Sequence, residues 1–371
     1  MSEHIPLVDL HAQYHRYQEE FDQAVAACLA NTSFIGGPDH KAFAAEFGAF
    51  CGGGSVALCA NGTDAIYLAL VELLGLGDGT GEVITTSHTF IATSESITLA
   101  GYKPVFVDVR PDTLLMNPDK VEAAITPQTR AILPVHLYGQ MVEMDRIMEI
   151  ARRHGLKVME DAAQAHGAAW DGKGPGEWGD AATFSFYPGK NLGAWGDAGA
   201  VYARDAAFIQ RVNMRANHGR VAKYEHEFEG TSSRLDGLQA AILRVKLRHL
   251  AQWNQERRQV AAWYGELLGN NPKITLPVVL PKATHVFHLF VIQLDDRDAV
   301  LAHLKSLNIE AGVHYPMPLH EQPAYQYLGY APEALPVTHQ IAQKILSLPI
   351  YPEISRAQVE RVAAAVLDCV K

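Results

Sequence analysis

A lone lysine, Lys190, stands in the stretch FSFYPGKNLGAWGDAGA, five residues beyond Ser185 and just ahead of a glycine-rich run. An amine where a strand gives way to a loop can attack a carbonyl and form an imine, although a loop lysine is by default a solvated charge. Ser185 beside it could donate to a phosphate. Three further stretches carry complementary groups. In CANGTDAIYLAL, Asn61-Gly62-Thr63 opens an apolar-periodic helix. The free N–H groups and dipole of a helix start attract an anion, and Gly62 permits close approach; an ordinary N-cap is the plainer reading. In MEDAAQAHG, Asp161 closes a strand and Gln164 follows three residues later. A carboxylate buried there needs a cationic or N–H partner, of which a protonated pyridine nitrogen is one; capping the next helix is the other reading. In SHTF, Phe90 follows a strand and could stack on a flat ring or pack into a core.

Taken together, phosphate donors, a stacking ring, an acid for a pyridine nitrogen and an amine for an aldehyde are the parts that pyridoxal 5'-phosphate requires. They occur in the chain order used by fold-type I enzymes.

Alternating strands and helices must position these groups. GEVITTSHTF reads as a strand and loop, SESITLAG as a helix, KPVFVDV as a strand and PDKVEAAI as a helix. RAILPVHLYG is a strand leaving into a loop, MVEMDRIMEIARRHG a helix closed by glycine, and LKVMEDAAQAHG a strand ending in acids and amides. This alternation predicts an α/β fold of parallel βαβ units covered on both faces. Ligands of such sheets collect beyond the carboxyl ends of the strands. The pattern turns long and helical over LDGLQAAILRVKLRHLAQWNQERRQVAAWYGELL. The division falls there, between a large α/β domain with an N-terminal arm (1–250) and a smaller C-terminal α/β domain (251–371). In the smaller part HVFHLFVIQL, RDAVLAHLKSLN and IEAGVHY predict strand, helix and strand, and VERVAAAVLDCV an amphipathic packing helix.

With 371 residues, 48% of them hydrophobic, the chain can bury a large core. A net charge of −10 argues against nucleic acid or an anionic membrane as the main partner, so local donors must hold any anionic ligand. The four cysteines show no C-x-x-C pairing, no secretion signal is visible in MSEHIPLVDLHAQY, and no uncharged apolar run approaches bilayer length. A soluble cytoplasmic protein is expected. Seventeen histidines contain no H-E-x-x-H or similar cluster, so no metal is expected. His136, His166, His285 and His288 read as core or supporting groups.

The chain resembles the sugar aminotransferases of the DegT/DnrJ/EryC1/StrS family. The likeness is carried by IPLVDLHAQY, NGTDAIYLAL, VITTSHTFIATSESI, EDAAQAHGA, FSFYPGKNLGAWGDAGA, RLDGLQAAILRVKL, GVHYPMPLH and LSLPIYPE, over nearly the whole length. It implies the pyridoxal phosphate fold type I, with a mostly parallel central sheet sandwiched by helices. It further implies that Lys190 holds the coenzyme as an imine and then moves protons, while Asp161 pairs with the pyridinium nitrogen. Gln164 would bond the ring hydroxyl, Phe90 cover a ring face, and Gly62, Thr63 and Ser185 bind the phosphate. L-glutamate is the implied donor and a nucleotide-linked keto sugar the acceptor, with pyridoxamine phosphate between the half-reactions.

KNLG followed by a GD-G-A run is similar to members acting at C3 of a dTDP-3-keto-6-deoxyhexose. C4 amination of a 4-keto nucleotide sugar is the alternative. A non-catalytic coenzyme-binding regulator is a more distant one, against which the intact Lys190–Asp161–Gln164 set speaks. NHGRVAKYEHEFEGTSSRLDG looks like the loop that reaches nucleotide-sugar and phosphate groups, where Arg220, Lys223 and His226 would supply positive charge or remain solvated. Tyr315 could line the sugar pocket. In relatives this loop crosses a two-fold interface, which implies a homodimer with shared active sites, Tyr224 and Ser232 serving the partner's phosphate. Ser232 stands where many relatives carry Asn, and its shorter side chain would need a bridging water.

Overall fold

The computed structural model describes residues 4–370. Seven strands form the central sheet: β1 (Ser55–Cys59), β2 (Glu82–Thr86), β3 (Lys103–Val107), β4 (Thr129–Leu133), β5 (Lys157–Asp161), β6 (Ala181–Ser185) and β7 (Gly199–Ala203). Their order is β1-β7-β6-β5-β4-β2-β3. Only β7 runs against its neighbours, β1 and β6; every other pair is parallel. Helices cover both faces, so the strands are apolar almost throughout, and β7 is buried at every position. The carboxyl ends of β1, β2, β5 and β6 therefore meet at one edge of the sheet, with β5 in the middle.

The Lys190 loop joins β6 to β7 at that same edge. Phe186 N–H donates to Ala198 O and Ala194 N–H to Phe186 O, each at 2.8 Å, which closes the loop at its base. At the start of β7, a Cβ on Gly199 would sit 2.2 Å from Asn61 O. Glycine there lets the turn after β1 lie directly on the sheet.

The helix Gly237–Leu268 links two apolar cores. Ala240, Leu243 and Leu250 belong to the core of the central sheet, whereas Val260, Ala261, Tyr264 and Leu268 belong to a second core. The proposed boundary after residue 250 thus falls inside a continuous helix, near where its buried face changes core. The second core covers a two-stranded antiparallel sheet, β8 (Phe290–Gln293) with β9 (Ile345–Leu348), and includes Ile5 of the N-terminal arm. Helices Arg297–Ser306 and Arg356–Cys369 complete it, as expected.

Two local expectations change. The partner of β8 is β9, Ile345–Leu348, and IEAGVHY is not a ladder strand; Ile309 and Gly312 make isolated bridges to Ile5 and Ser347. Its residues His314 and Tyr315 are turned to the active-site cavity instead. PDKVEAAI gives only one helical turn, Pro118–Val121, followed by a 3₁₀ turn.

Candidate active site

A cavity of ≈ 780 Å³ opens at the carboxyl edge of the sheet. Of the residues singled out in the sequence, Gly62, Thr63, Phe90, Asp161, Gln164, Ser185, Lys190 and Tyr315 line it.

The anion end is built by β1 and the helix Gly62–Leu74. Asn61 caps the helix, its Oδ1 accepting from Asp64 N–H at 2.8 Å. The N–H groups of Gly62 and Thr63 have no intrahelical acceptor and stay at the cavity wall. A Cβ on Gly62 would meet Ser185 Cβ at 2.7 Å, so glycine is what brings the helix start against the end of β6. Buried Ser233, which the sequence reading passed over, finishes this corner. Its hydroxyl donates to Asp64 Oδ2 at 2.6 Å and accepts from Ala60 N–H at 3.2 Å.

Asp161 ends β5, is 5% exposed, and makes no ion pair among the described residues. Oδ1 accepts from Ala163 N–H at 3.1 Å and Oδ2 from the Thr93 hydroxyl at 2.8 Å. Because the Thr93 proton goes to the carboxylate, Thr89 Oγ1, 3.0 Å away, donates to Thr93 in turn. Gln164 is held by Tyr138 N–H, which donates to its Oε1 at 2.7 Å. Its Nε2 is thereby left to donate into the cavity, with Tyr315 Oη at 3.4 Å. Tyr138 adopts a left-handed conformation (φ 61°) beside Gly139, and its hydroxyl meets His88 Nε2 at 2.7 Å and donates to His314 O. Phe90 remains half exposed, its ring 5.8 Å from that of Tyr315.

Lys190 N–H donates to Tyr187 O at 2.8 Å, and the turn carries the side chain into the cavity. Desolvation lowers its amine to about 8, against the opposing pull of Asp161. At pH 7 about a tenth of such an amine is uncharged and nucleophilic. The neighbouring imidazoles are neutral at that pH. Burial, then the Lys190 charge, lowers His314 to about 4, and the same causes lower His288 well below its usual range.

The remaining candidates lie elsewhere. Arg220–Ala222 and Glu225–His226 form a small exposed hairpin, on which Tyr224 is 86% exposed. Ser232 is exposed and bridges Asn217. None of Arg220, Tyr224, His226 and Ser232 lines this cavity within one chain. His136 pairs with Glu160 at 2.8 Å, both fully buried, while His166 and His285 are buried away from solvent. No group of side chains suited to a metal occurs among the described residues, and no helix among them is long and apolar enough to cross a membrane.

The donor set fits a phosphorylated pyridine aldehyde. It offers N–H and hydroxyl groups for a dianion, a buried carboxylate lacking a cation, an amide donor, and a partly neutral amine. Fold and site together define a pyridoxal phosphate-dependent aminotransferase. The chain belongs to the DegT/DnrJ/EryC1/StrS aminotransferase family, whose match runs over residues 15–367. It is 45% identical over 367 residues to the dTDP-3-amino-3,4,6-trideoxy-alpha-D-glucose transaminase of Streptomyces venezuelae, covering 98% of this chain and 96% of that one. It is 46% identical over 363 residues to the dTDP-3-amino-3,6-dideoxy-alpha-D-galactopyranose transaminase of Aneurinibacillus thermoaerophilus, covering 98% of each. Among solved structures, S. venezuelae DesV in complex with a ketimine intermediate superposes with a TM-score of 0.97 at 44% identity, covering 100% of this chain and 99% of that one.

Proposed function

We propose that this aminotransferase moves the amino group of L-glutamate to the C3 keto group of a dTDP-3-keto-6-deoxyhexose, giving a dTDP-3-amino-3,6-dideoxyhexose. The observation that carries this reading is the full-length likeness, at 45% and 46% identity, to two transaminases named for 3-amino dTDP-sugars.

Bound in the cavity, the coenzyme supplies an aldehyde that takes up the amine and a protonated ring that accepts electrons. Gly62, Thr63 and Ser185 would hold its phosphate, and Phe90 would cover a ring face. Gln164 donates to the ring oxygen, its amide orientation set by Tyr138 N–H. Asp161 supplies the negative charge that keeps the ring nitrogen protonated. Lys190 would hold the coenzyme through its amine and, when that amine is free, would take a proton from the substrate carbon and return one. Its lowered basicity suits it to release and take protons near neutral pH.

The active unit in this reading is a homodimer that shares its sites. Among the described residues, the cavity's own walls hold Asp64, Asp161 and Asp197 but one cation, Lys190. A nucleotide diphosphate and the carboxylates of glutamate need more positive charge than that. The exposed hairpin carries Arg220, Lys223 and His226, and from a second copy these would meet the substrate, with Tyr224 and Ser232 at the coenzyme phosphate; Tyr315 lines the sugar side. Cys28, Cys51, Cys59 and Cys369 are free, which suits action in the reducing cytoplasm.

The test is a panel of 3-keto and 4-keto nucleotide sugars, with dTDP and UDP carriers, offered to the enzyme in its pyridoxamine form. Fast return of the coenzyme absorbance with dTDP-3-keto-6-deoxyhexoses supports the proposal. Turnover confined to 4-keto sugars would overturn it.

A further inference from the structure

Asn191 follows Lys190, is 3% exposed, and has no part in the chemistry described so far. Its Nδ2 donates to Asn254 Oδ1 in the long helix at 2.9 Å and to Val286 O at 3.0 Å. Its Oδ1 lies 3.3 Å from His288 Nδ1. The amide orientation is forced, because the Val286 carbonyl can only accept. The same reasoning fixes His288: facing an amide oxygen, Nδ1 carries the proton, and Nε2 is left as an acceptor on a residue that lines the cavity. Asn254 extends the network, its Nδ2 donating to His166 O at 2.8 Å, two residues beyond Gln164. One buried amide therefore joins the loop of the reactive lysine to the long helix and to the stretch 286–288, which runs straight into β8 of the second core.

We propose that Asn191 is a positioning residue that couples the Lys190 loop to the 286–288 stretch, so that displacement of the small C-terminal sheet is transmitted to the Lys190 amine. The proposal rests on the reading of Lys190 as the coenzyme-bearing amine. The coupling is geometric. Val286 and His288 cannot shift without pulling on Asn191, and Asn191 is one peptide bond from Lys190. Val286 N–H is tied to Gly139 O at 2.9 Å, beside the Tyr138 N–H that orients Gln164, so the same stretch also bonds the segment that holds Gln164.

Full-length protein carrying Asn191→Ala or Asn254→Ala tests this by two readouts. The first is amide exchange over residues 286–289, with and without coenzyme. The second is the pH titration of the visible absorbance of the holoenzyme, assigned to Lys190 by its loss in Lys190→Ala. Each variant should speed exchange by about fivefold, the factor one net hydrogen bond is worth, and should displace the absorbance titration in the same direction. The double variant should do no more than the stronger single one, because both break one network. Variants that melt earlier but keep the wild-type titration would show a merely structural role and overturn the coupling, as would fully additive effects. Should the alanine variants fail to fold, Asn191→Ser and Asn254→Ser carry the same expectations. A wild-type titration that survives Lys190→Ala would instead remove the reading of Lys190 itself.

Discussion

Asp161→Asn removes a charge and almost no volume. Oδ1 of Asp161 accepts from Ala163 N–H, which can only donate, so an asparagine must keep its oxygen there. Its NH₂ then occupies the place of Oδ2, facing the Thr93 hydroxyl, which can accept. A donor replaces an acceptor on the carboxylate proposed to pair with the pyridine nitrogen, and the protonated ring loses its counter-charge. An opposite-charge pair about 4 Å apart near a protein surface is worth about 4 kcal/mol. If the reacting ring depends on that charge in full, the rate falls about a thousandfold. The assay is the single-turnover amino-donor half-reaction with L-glutamate, followed by coenzyme absorbance at saturating pyridoxal phosphate. A loss smaller than about tenfold, with coenzyme fully bound, would refute the assignment of Asp161 to the ring nitrogen.

Thr93→Val removes the hydroxyl that donates to Asp161 at 2.8 Å; hydrogen bonds to charged groups are worth about 1.5–3 kcal/mol, so kcat should fall at least about tenfold with KM little changed, and an unaltered kcat would contradict it. Because Lys190 is lowered to about 8, covalent attachment of coenzyme to the coenzyme-free protein should accelerate as pH rises through that value and then level off; a rate flat from pH 6 to 10 counts against it. The depressed amine also has a stability consequence: between about 8 and its ordinary 10.5 the unfolded chain binds more protons, so stability rises with pH across that window, and Lys190→Met should flatten the rise. Mixing exchangeable Lys190→Ala subunits with subunits disabled in 218–234 should restore roughly a quarter of wild-type activity if sites are shared, since about half of random dimers are mixed and each holds one intact site; no recovery despite proven exchange would place each site within one chain.

Much of the site was legible because its groups sit where strands stop. Asp161 ends β5, Ser185 ends β6 and Asn61 follows β1, so alternation of apolar strands alone places them at one edge. What stayed hidden are side chains whose partners lie far along the chain. Thr93 reaches Asp161 across 68 residues, Asn191 reaches Asn254 across 63, and Ser233 reaches Asp64 across 169. A Thr in SESITLAG's lead-in or an Asn after a lysine has no local periodicity to mark it. Ser233 stands beside Ser232 in the same TSSR run, and only the fold shows that it is buried against Asp64 and Ala60 while Ser232 is exposed. The hairpin residues Arg220, Tyr224 and His226 face solvent in the single chain, and the proposed dimer is what would give them a role. IEAGVHY misled because its apolar residues Ile309, Ala311 and Val313 pack against the two cores with only isolated bridges, while His314 and Tyr315 line the cavity.

Everything above turns on one covalent link. Reducing the holoenzyme with borohydride, digesting it and mapping the modified peptide by mass spectrometry locates that link directly. A phosphopyridoxyl group on Lys190, in the peptide containing FSFYPGK, is the predicted result. The same group on any other lysine, or no stable modification in protein that transaminates, would contradict the account.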